Sequence, residues 1–257
     1  MTGDLLRDAP GPEAAAPGWY GKVPGLGDFV SRRLPSEFIQ PWDEWLQEGL
    51  AATRAVLAEG WLDCYLTMPI WRFVLLPGVL GPSGWAGVLM PSVDRVGRQF
   101  PLTLALALPS PAAAAHMVFD GAVWFDSLES AALSALDMER DASDLDLALA
   151  ACALAPPDGP ELDAAAGGMR GLPPGTEFSV LARAEALREW AEHGGWRCLW
   201  WTRGRIDDQP LMFTSAELPG GEEFAALLQS RSPISARVAG NADDTAGYPD
   251  PLSSQPG

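Results

Sequence analysis

Cysteine, histidine and positive charge are all scarce in this 257-residue chain, and each scarcity excludes a class of function. The three cysteines, Cys64, Cys152 and Cys198, are odd in number, far apart and form no CxxC pair. That argues against a disulfide framework and fits a reducing compartment. Each lies among apolar residues, as small buried hydrophobes do. Only two histidines occur, His116 and His193. Neither stands at metal-ligand spacing from a cysteine, an acid or the other histidine. With no GxSxG elbow, a hydrolytic triad has little to be built from. His193, just before Gly194-Gly195, reads as a structural residue at a helix C-terminus.

Basic residues number 17 against 34 acidic ones, a net charge of −17. A chain this acidic repels nucleic-acid phosphates and anionic membrane surfaces. Its only basic cluster is Arg32-Arg33. No apolar run is long enough to span a bilayer. The opening MTGDLLRDAPGPEAAAPG has neither the positive nor the apolar region of a signal peptide. The expectation is a cytoplasmic protein with no nucleic-acid partner and no membrane insertion.

Hydrophobic residues make up 47% of the chain, enough for a sizeable core. Acidity is uneven: residues 111–230 hold 7 basic and 20 acidic side chains. Residues 1–18 and 231–257 have little to bury and read as disordered tails. Between them, 19–230 reads as one α/β domain; a split near 110, supported only by the charge asymmetry, is the alternative.

Within 19–230, WYGKVPGLGDFV reads as a strand and a glycine turn. The helix that follows has Pro41 in its first turn, where a missing N–H costs nothing. Its apolar face comprises Trp42, Trp45, Leu46, Gly49, Leu50, Thr53, Val56 and Leu57, with Gly49 admitting a close neighbour. Gly60 ends it. IWRFVLL (70–76), GWAGVLM (84–90) and FPLTLALAL (100–108) read as strands of an antiparallel meander. The first two are apolar on both faces, so helices must cover both sides. Helical patterns follow at 117–138, with Val118, Trp124, Phe125, Leu128, Leu133 and Leu136 on one side, and at 143–154, with Ser143 as N-cap. An acidic loop (156–175), a helix (178–193), strands at 196–202 and 211–216 and a short helix (221–230) complete the domain. The predicted fold is a three-layer α/β/α sandwich with a mixed, partly antiparallel sheet.

No stretch spells out a cofactor site. GKVPGLGD (21–28) resembles a phosphate loop, but Gly27 is followed by Asp28 where a P-loop needs Lys-Ser/Thr. The acids Asp137, Glu139, Asp141, Asp144 and Asp146 lack the glycine of a calcium loop. No metal or cofactor is therefore expected. Trp200 and Trp201, adjacent in a strand, point to opposite faces; both are buried if the sheet is covered twice, and otherwise one is an exposed anchor.

The most unusual stretch is MPSVDRVGRQFPL (90–102), where Asp94, Arg95 and Arg98 surround Gly97 between two apolar strands. It reads as a loop at one end of the sheet, Gly97 permitting its turn and its charges at the rim. Asp94 is placed to pair with Arg95 or Arg98 or to accept local N–H groups. Two readings stay open: an internally satisfied loop, or a recognition surface using arginine's planar, multi-donor head. In the second, Arg32 and Arg33, following Asp28, join Arg95 and Arg98 in a basic island at the same sheet end.

Taken together, WYGKVPGLGDFVSRRLP, PWDEWLQEGL, WRFVLLPGVLGPSGWAGVLMPSVDRVGRQFPLTLA and LWWT resemble the type VI secretion-associated TagF or ImpM family. The likeness is dense over 19–108 and thinner around 196–230; 111–195 matches no pattern. Val23 stands where the family's GKLPxxGDF opening has leucine. The resemblance implies a three-layer α/β/α sandwich and a cytoplasmic accessory protein encoded with type VI secretion machinery in Gram-negative bacteria. It implies a post-translational repressor acting through a forkhead-associated-domain scaffold, and not an enzyme. A structural subunit needed for assembly is the alternative, and an enzyme acting on a small anionic ligand a more distant one.

Overall fold

The apolar, β-favouring runs cut by Pro and Gly form strands in a computed structural model that describes residues 15–153, 187–203 and 211–229, and one further short strand, the polar VSR at 30–32, forms where none was expected. The strands are β1 (Gly18–Gly21), β2 (Val30–Arg32), β3 (Trp71–Leu75), β4 (Gly84–Met90), β5 (Leu102–Leu108), β6 (Cys198–Trp201) and β7 (Met212–Ser215). They form one sheet in the order β2-β1-β5-β4-β3-β6-β7. Every pairing is antiparallel, which corrects the expected mixed sheet. Parallel neighbours need a crossover between them. Here β1–β2, β3–β4–β5 and β6–β7 follow each other directly, and the helical connections run between these groups.

The helices are α1 (Ser36–Leu57), α2 (Trp61–Leu66), α3 (Pro111–Phe119), α4 (Ala122–Ser134), α5 (Ala142–Ala150), α6 (helical over 187–194) and α7 (Glu222–Gln229). Strand alternation divides the core between two layers. Trp71, Phe73 and Leu75 of β3, Trp85 and Leu89 of β4, and Cys198 and Trp200 of β6 pack under α1, α2 and α7. Val74, Ala86, Val88, Met90, Leu102, Leu104 and Leu199 pack under α3, α4, α5 and α6. The result is the expected three-layer α/β/α sandwich.

The first layer is aromatic. Trp42 lies 5.1 Å from Phe73 and 6.2 Å from Trp200, ring centre to ring centre. Burying one such ring is worth about 4–6 kcal/mol of transfer free energy before ordering costs. The Trp42 indole donates to Thr103 Oγ1 at 2.8 Å and that of Trp71 to the Leu227 carbonyl at 3.1 Å, so these rings bring their polar edges in satisfied.

Several local expectations need correction. Helix α1 starts at Ser36, so Pro41 lies inside it; Phe38, one turn before Trp42, extends the buried face towards the N-terminus. Val56 is exposed at the other end, where α1 gives way to a 3₁₀ turn (Ala58–Gly60) and the unforeseen α2. The single helix expected over 117–138 is two, broken around Gly121. The break rotates the second: Ala131, Ala132 and Ala135 face the core, while Leu133 and Leu136 are exposed. The N-cap of α5 is Asp141, whose side chain accepts from the Ser143 and Asp144 N–H groups in a reciprocal capping box. Of the expected N-terminal tail 1–18, residues 15–18 are described and Gly18 already opens β1; residues 1–14, the expected tail 231–257, the acidic loop 156–175 and residues 178–186 of the expected helix lie outside the described residues.

Candidate functional site

Where β1 and β4 end and β5 begins, the loops 22–29 and 91–101 lie side by side. Their backbones interlock: the Arg95 N–H donates to the Leu26 carbonyl at 3.2 Å and the Ser92 hydroxyl to the Lys22 carbonyl at 2.7 Å. The Arg98 guanidinium donates to the Gly27 carbonyl at 3.0 Å, and that of Arg95 reaches the Gly25 carbonyl at 3.5 Å. Tyr65 fixes the pair to α2. Its hydroxyl donates to the Ser92 carbonyl at 2.7 Å and accepts the Ser92 N–H at 3.0 Å. Burial pushes this phenol well above its usual range.

Asp94 organises the turn. Its carboxylate accepts the N–H groups of Val96 at 3.1 Å and Arg98 at 2.9 Å, and the Arg98 Nε–H at 2.6 Å. The Lys22 ammonium is 3.3 Å away and sits over the Phe29 ring. Burial opposes charge on Asp94, but the backbone and side-chain donation of Arg98, then Lys22 and the Val96 N–H, hold its carboxyl well below the usual carboxylate range. Gly97 adopts φ +82°, with open space where a side chain would stand, so its requirement is conformational alone. The expected rim charges thus divide. Arg95 and Arg98 are exposed, but Asp94 is only 2% exposed and belongs to the interior.

The surface presented outward is Arg95 and Arg98 with Phe29 (44% exposed) and Val96 (72%). Asp28 is exposed beside it, its carboxylate accepting the Phe29 N–H at 2.8 Å. Arg32 and Arg33 do not join this surface. Val30 pairs with Gly21 and Arg32 with Trp19, which carries both arginines to the far end of the β1–β2 hairpin. There Asp146 of α5 receives Arg32 at 2.5 Å, Arg33 at 2.8 Å and the Trp19 indole at 2.9 Å. Burial opposes the charge of Asp146; the Trp19 hydrogen bond and the two guanidinium groups lower its pKa nonetheless. The pair staples a sheet edge to a helix rather than extending a basic island.

Trp200 and Trp201 are not exposed anchors. Trp200 is fully buried among Trp42, Trp45, Phe73 and Phe213, and Trp201 packs on Phe125 across the sheet at 4.9 Å. Sequence reasoning missed Lys22, Tyr65 and Ser92. Only Lys22 left a trace, as a lone cation in an apolar run. It also missed Arg72 of β3, buried against Glu129 and Asp126 of α4, both at 2.6 Å. Among the described residues no group of three or more His, Cys, Asp or Glu side chains is placed to hold a metal ion. No helix among them is long and apolar enough to cross a membrane.

An antiparallel three-layer sandwich whose end loops are locked by a buried charge is a class of fold that can be compared directly. The TagF N-terminal domain, described as type VI secretion system-associated, matches residues 18–152. The crystal structure of PA0076 from Pseudomonas aeruginosa PAO1 is 35% identical, with a TM-score of 0.67, and the match covers 94% of this chain and 99% of that one. No curated protein matches. The chain belongs to the TagF family and is a type VI secretion-associated protein.

Proposed function

We propose that this chain is a non-enzymatic cytoplasmic repressor of a type VI secretion apparatus, acting after translation by binding a forkhead-associated-domain scaffold. The face built by loops 22–29 and 91–101 is its contact surface. One observation carries this reading: two exposed guanidinium groups and two exposed apolar side chains stand on a loop pair whose own polar groups are internally paired. A rigid mount of this kind loses little conformational entropy on binding. Arginine flanked by apolar area is also the composition enriched at protein interfaces.

The test is a pull-down of the scaffold protein by the wild type and by an Arg95→Glu/Val96→Asp variant, with circular dichroism alongside. These substitutions leave the Asp94–Arg98–Lys22 network in place. Scaffold binding lost with the fold intact is the expected result; retained binding would refute the surface. Deleting the gene should raise secretion under repressed conditions. Abolished secretion would instead mark a subunit needed for assembly.

A further inference from the structure

A second feature lies at the same end of the sheet, beyond β3. Residues 66–70, which join α2 to β3, form one wall of a cavity of about 350 Å³; Glu129 of α4 and Thr202-Arg203 after β6 complete it. The walls contributed by Leu66, Met68 and Ile70 are apolar. Thr202 is already engaged, its hydroxyl accepting the Leu211 N–H at 3.0 Å.

Glu129 is the enclosed carboxylate among the residues that line this cavity. Its side chain is only 10% exposed. One carboxylate oxygen accepts the Arg72 Nε–H at 2.6 Å; among the described residues the other has no hydrogen-bond partner. Arg72 also donates to Asp126 at 2.6 Å, so one buried cation is shared between two carboxylates. Arg203 reaches Asp126 at 3.2 Å, but from the solvent side, with most of its side chain in water. With Arg203 the cluster is balanced in charge, but Arg203 serves the partly exposed Asp126, so the enclosed Glu129, which lines the cavity, has only a share of Arg72.

We infer that this cavity receives the side chain of an arginine or lysine presented by a partner polypeptide. The aliphatic stem lies along Leu66, Met68 and Ile70, and the cationic head donates to Glu129. Long basic side chains pair an apolar stem with a charged tip in this way, and a charge-assisted hydrogen bond is the stronger kind. A cavity near the lower end of the ligand-pocket range suits one side chain rather than a cofactor. An anion fits less well, because the one cation among the described lining residues, Arg203, is already paired with Asp126 and largely solvated. The inference rests on the cavity alone and does not require the secretion reading.

Methyl NMR on the full chain, labelled at Met and Ile methyl groups, tests it directly. The probe is N-acetyl-arginine N-methylamide, and the reporters are the Met68 and Ile70 methyls. Saturable shifts at both are expected, with N-acetyl-norleucine N-methylamide weaker by about tenfold or more. Glu129→Gln should weaken the arginine probe by at least about the same factor. Because that change touches the buried Arg72 pair, Leu66→Trp serves as a second variant: Leu66 is 53% exposed at the mouth, so filling it leaves the core alone and should abolish the shifts. Agmatine separates the sources of the cation. A capped residue binding at least as tightly supports a polypeptide partner, whereas clearly tighter agmatine binding would reassign the cavity to a free polyamine. Absence of shifts up to the probe's solubility limit, or equal shifts in Leu66→Trp, would overturn the inference.

Discussion

Asp94 is the side chain on which the end loops turn, and its depressed pKa makes its contribution depend on pH. A carboxylate held below its unfolded value stabilises fully above that value, about 3.9, and progressively less as pH falls from there towards the folded value. Asp94→Asn, which leaves the buried Lys22 without its counter-charge, should lower the Tm at neutral pH. The gap between wild type and variant should close as pH is taken below about 4. A gap that stays constant in thermal melts across that range would show that the carboxylate's charge is not what matters. Gly49 gives a steric counterpart. A methyl group there would overlap the Phe224 ring of α7. Gly49→Ala should cost about 1–3 kcal/mol in urea unfolding. In a Phe224→Leu background the penalty should shrink, because the two positions share one contact. That Gly49 admits a close neighbour was legible from its place on an apolar stripe. That Asp94 is interior was not, since its partner Lys22 lies 72 positions away in sequence and Tyr65, which fixes the neighbouring Ser92, is 27 positions from that serine.

Elements with both faces buried were the most legible. GWAGVLM is β4 residue for residue, because seven apolar residues between Gly-Pro and Pro leave few alternatives. Helices were less so. The phase of α4 depends on where the chain breaks near Gly121, and the start of α5 on which of several acids and serines takes the cap. Asp141→Ala should cost about 1 kcal/mol by removing the acceptor for two N–H groups of the first turn. Ser143→Ala, the cap expected from sequence, should cost markedly less. Amide hydrogen exchange localised to the start of α5 would check both, and equal effects would discount the capping box. The tie of α5 to Arg32 and Arg33 through Asp146 makes the same helix a clamp on the β1–β2 edge.

Across the whole molecule, chain segments on either side of residue 110 share one sheet, since β6 pairs with β3. The uneven charge therefore does not mark a break in the hydrogen-bonded ladder. The acidic half supplies α3, α4 and α5 on one face and Asp146, Asp126 and Glu129 to basic partners from the other half. Cys198 reports on this unity. Burial is the main cause that pushes its thiol up to about 12, so at pH 8 it is un-ionised and enclosed. Alkylation should modify the half-buried Cys64 first and reach Cys198 only along the global urea transition. Early labelling of Cys198 would mean that the β6–β7 hairpin opens by itself.

Composition and patterning settled the strands other than the short, polar β2, the double coverage of the sheet and the burial of most tryptophans, because burial follows from local runs of apolar residues and period-two alternation. They also carried the family likeness, which is a matter of residue order. Tertiary structure alone decided that the described strands all pair antiparallel, that Arg32-Arg33 stand apart from Arg95 and Arg98, that Asp94 is enclosed, and that Glu129 shares Arg72 with Asp126 in the wall of a cavity. These are properties of ion pairs and hydrogen bonds between residues far apart in the chain. No local periodicity encodes them; they exist only once the layers have closed around them.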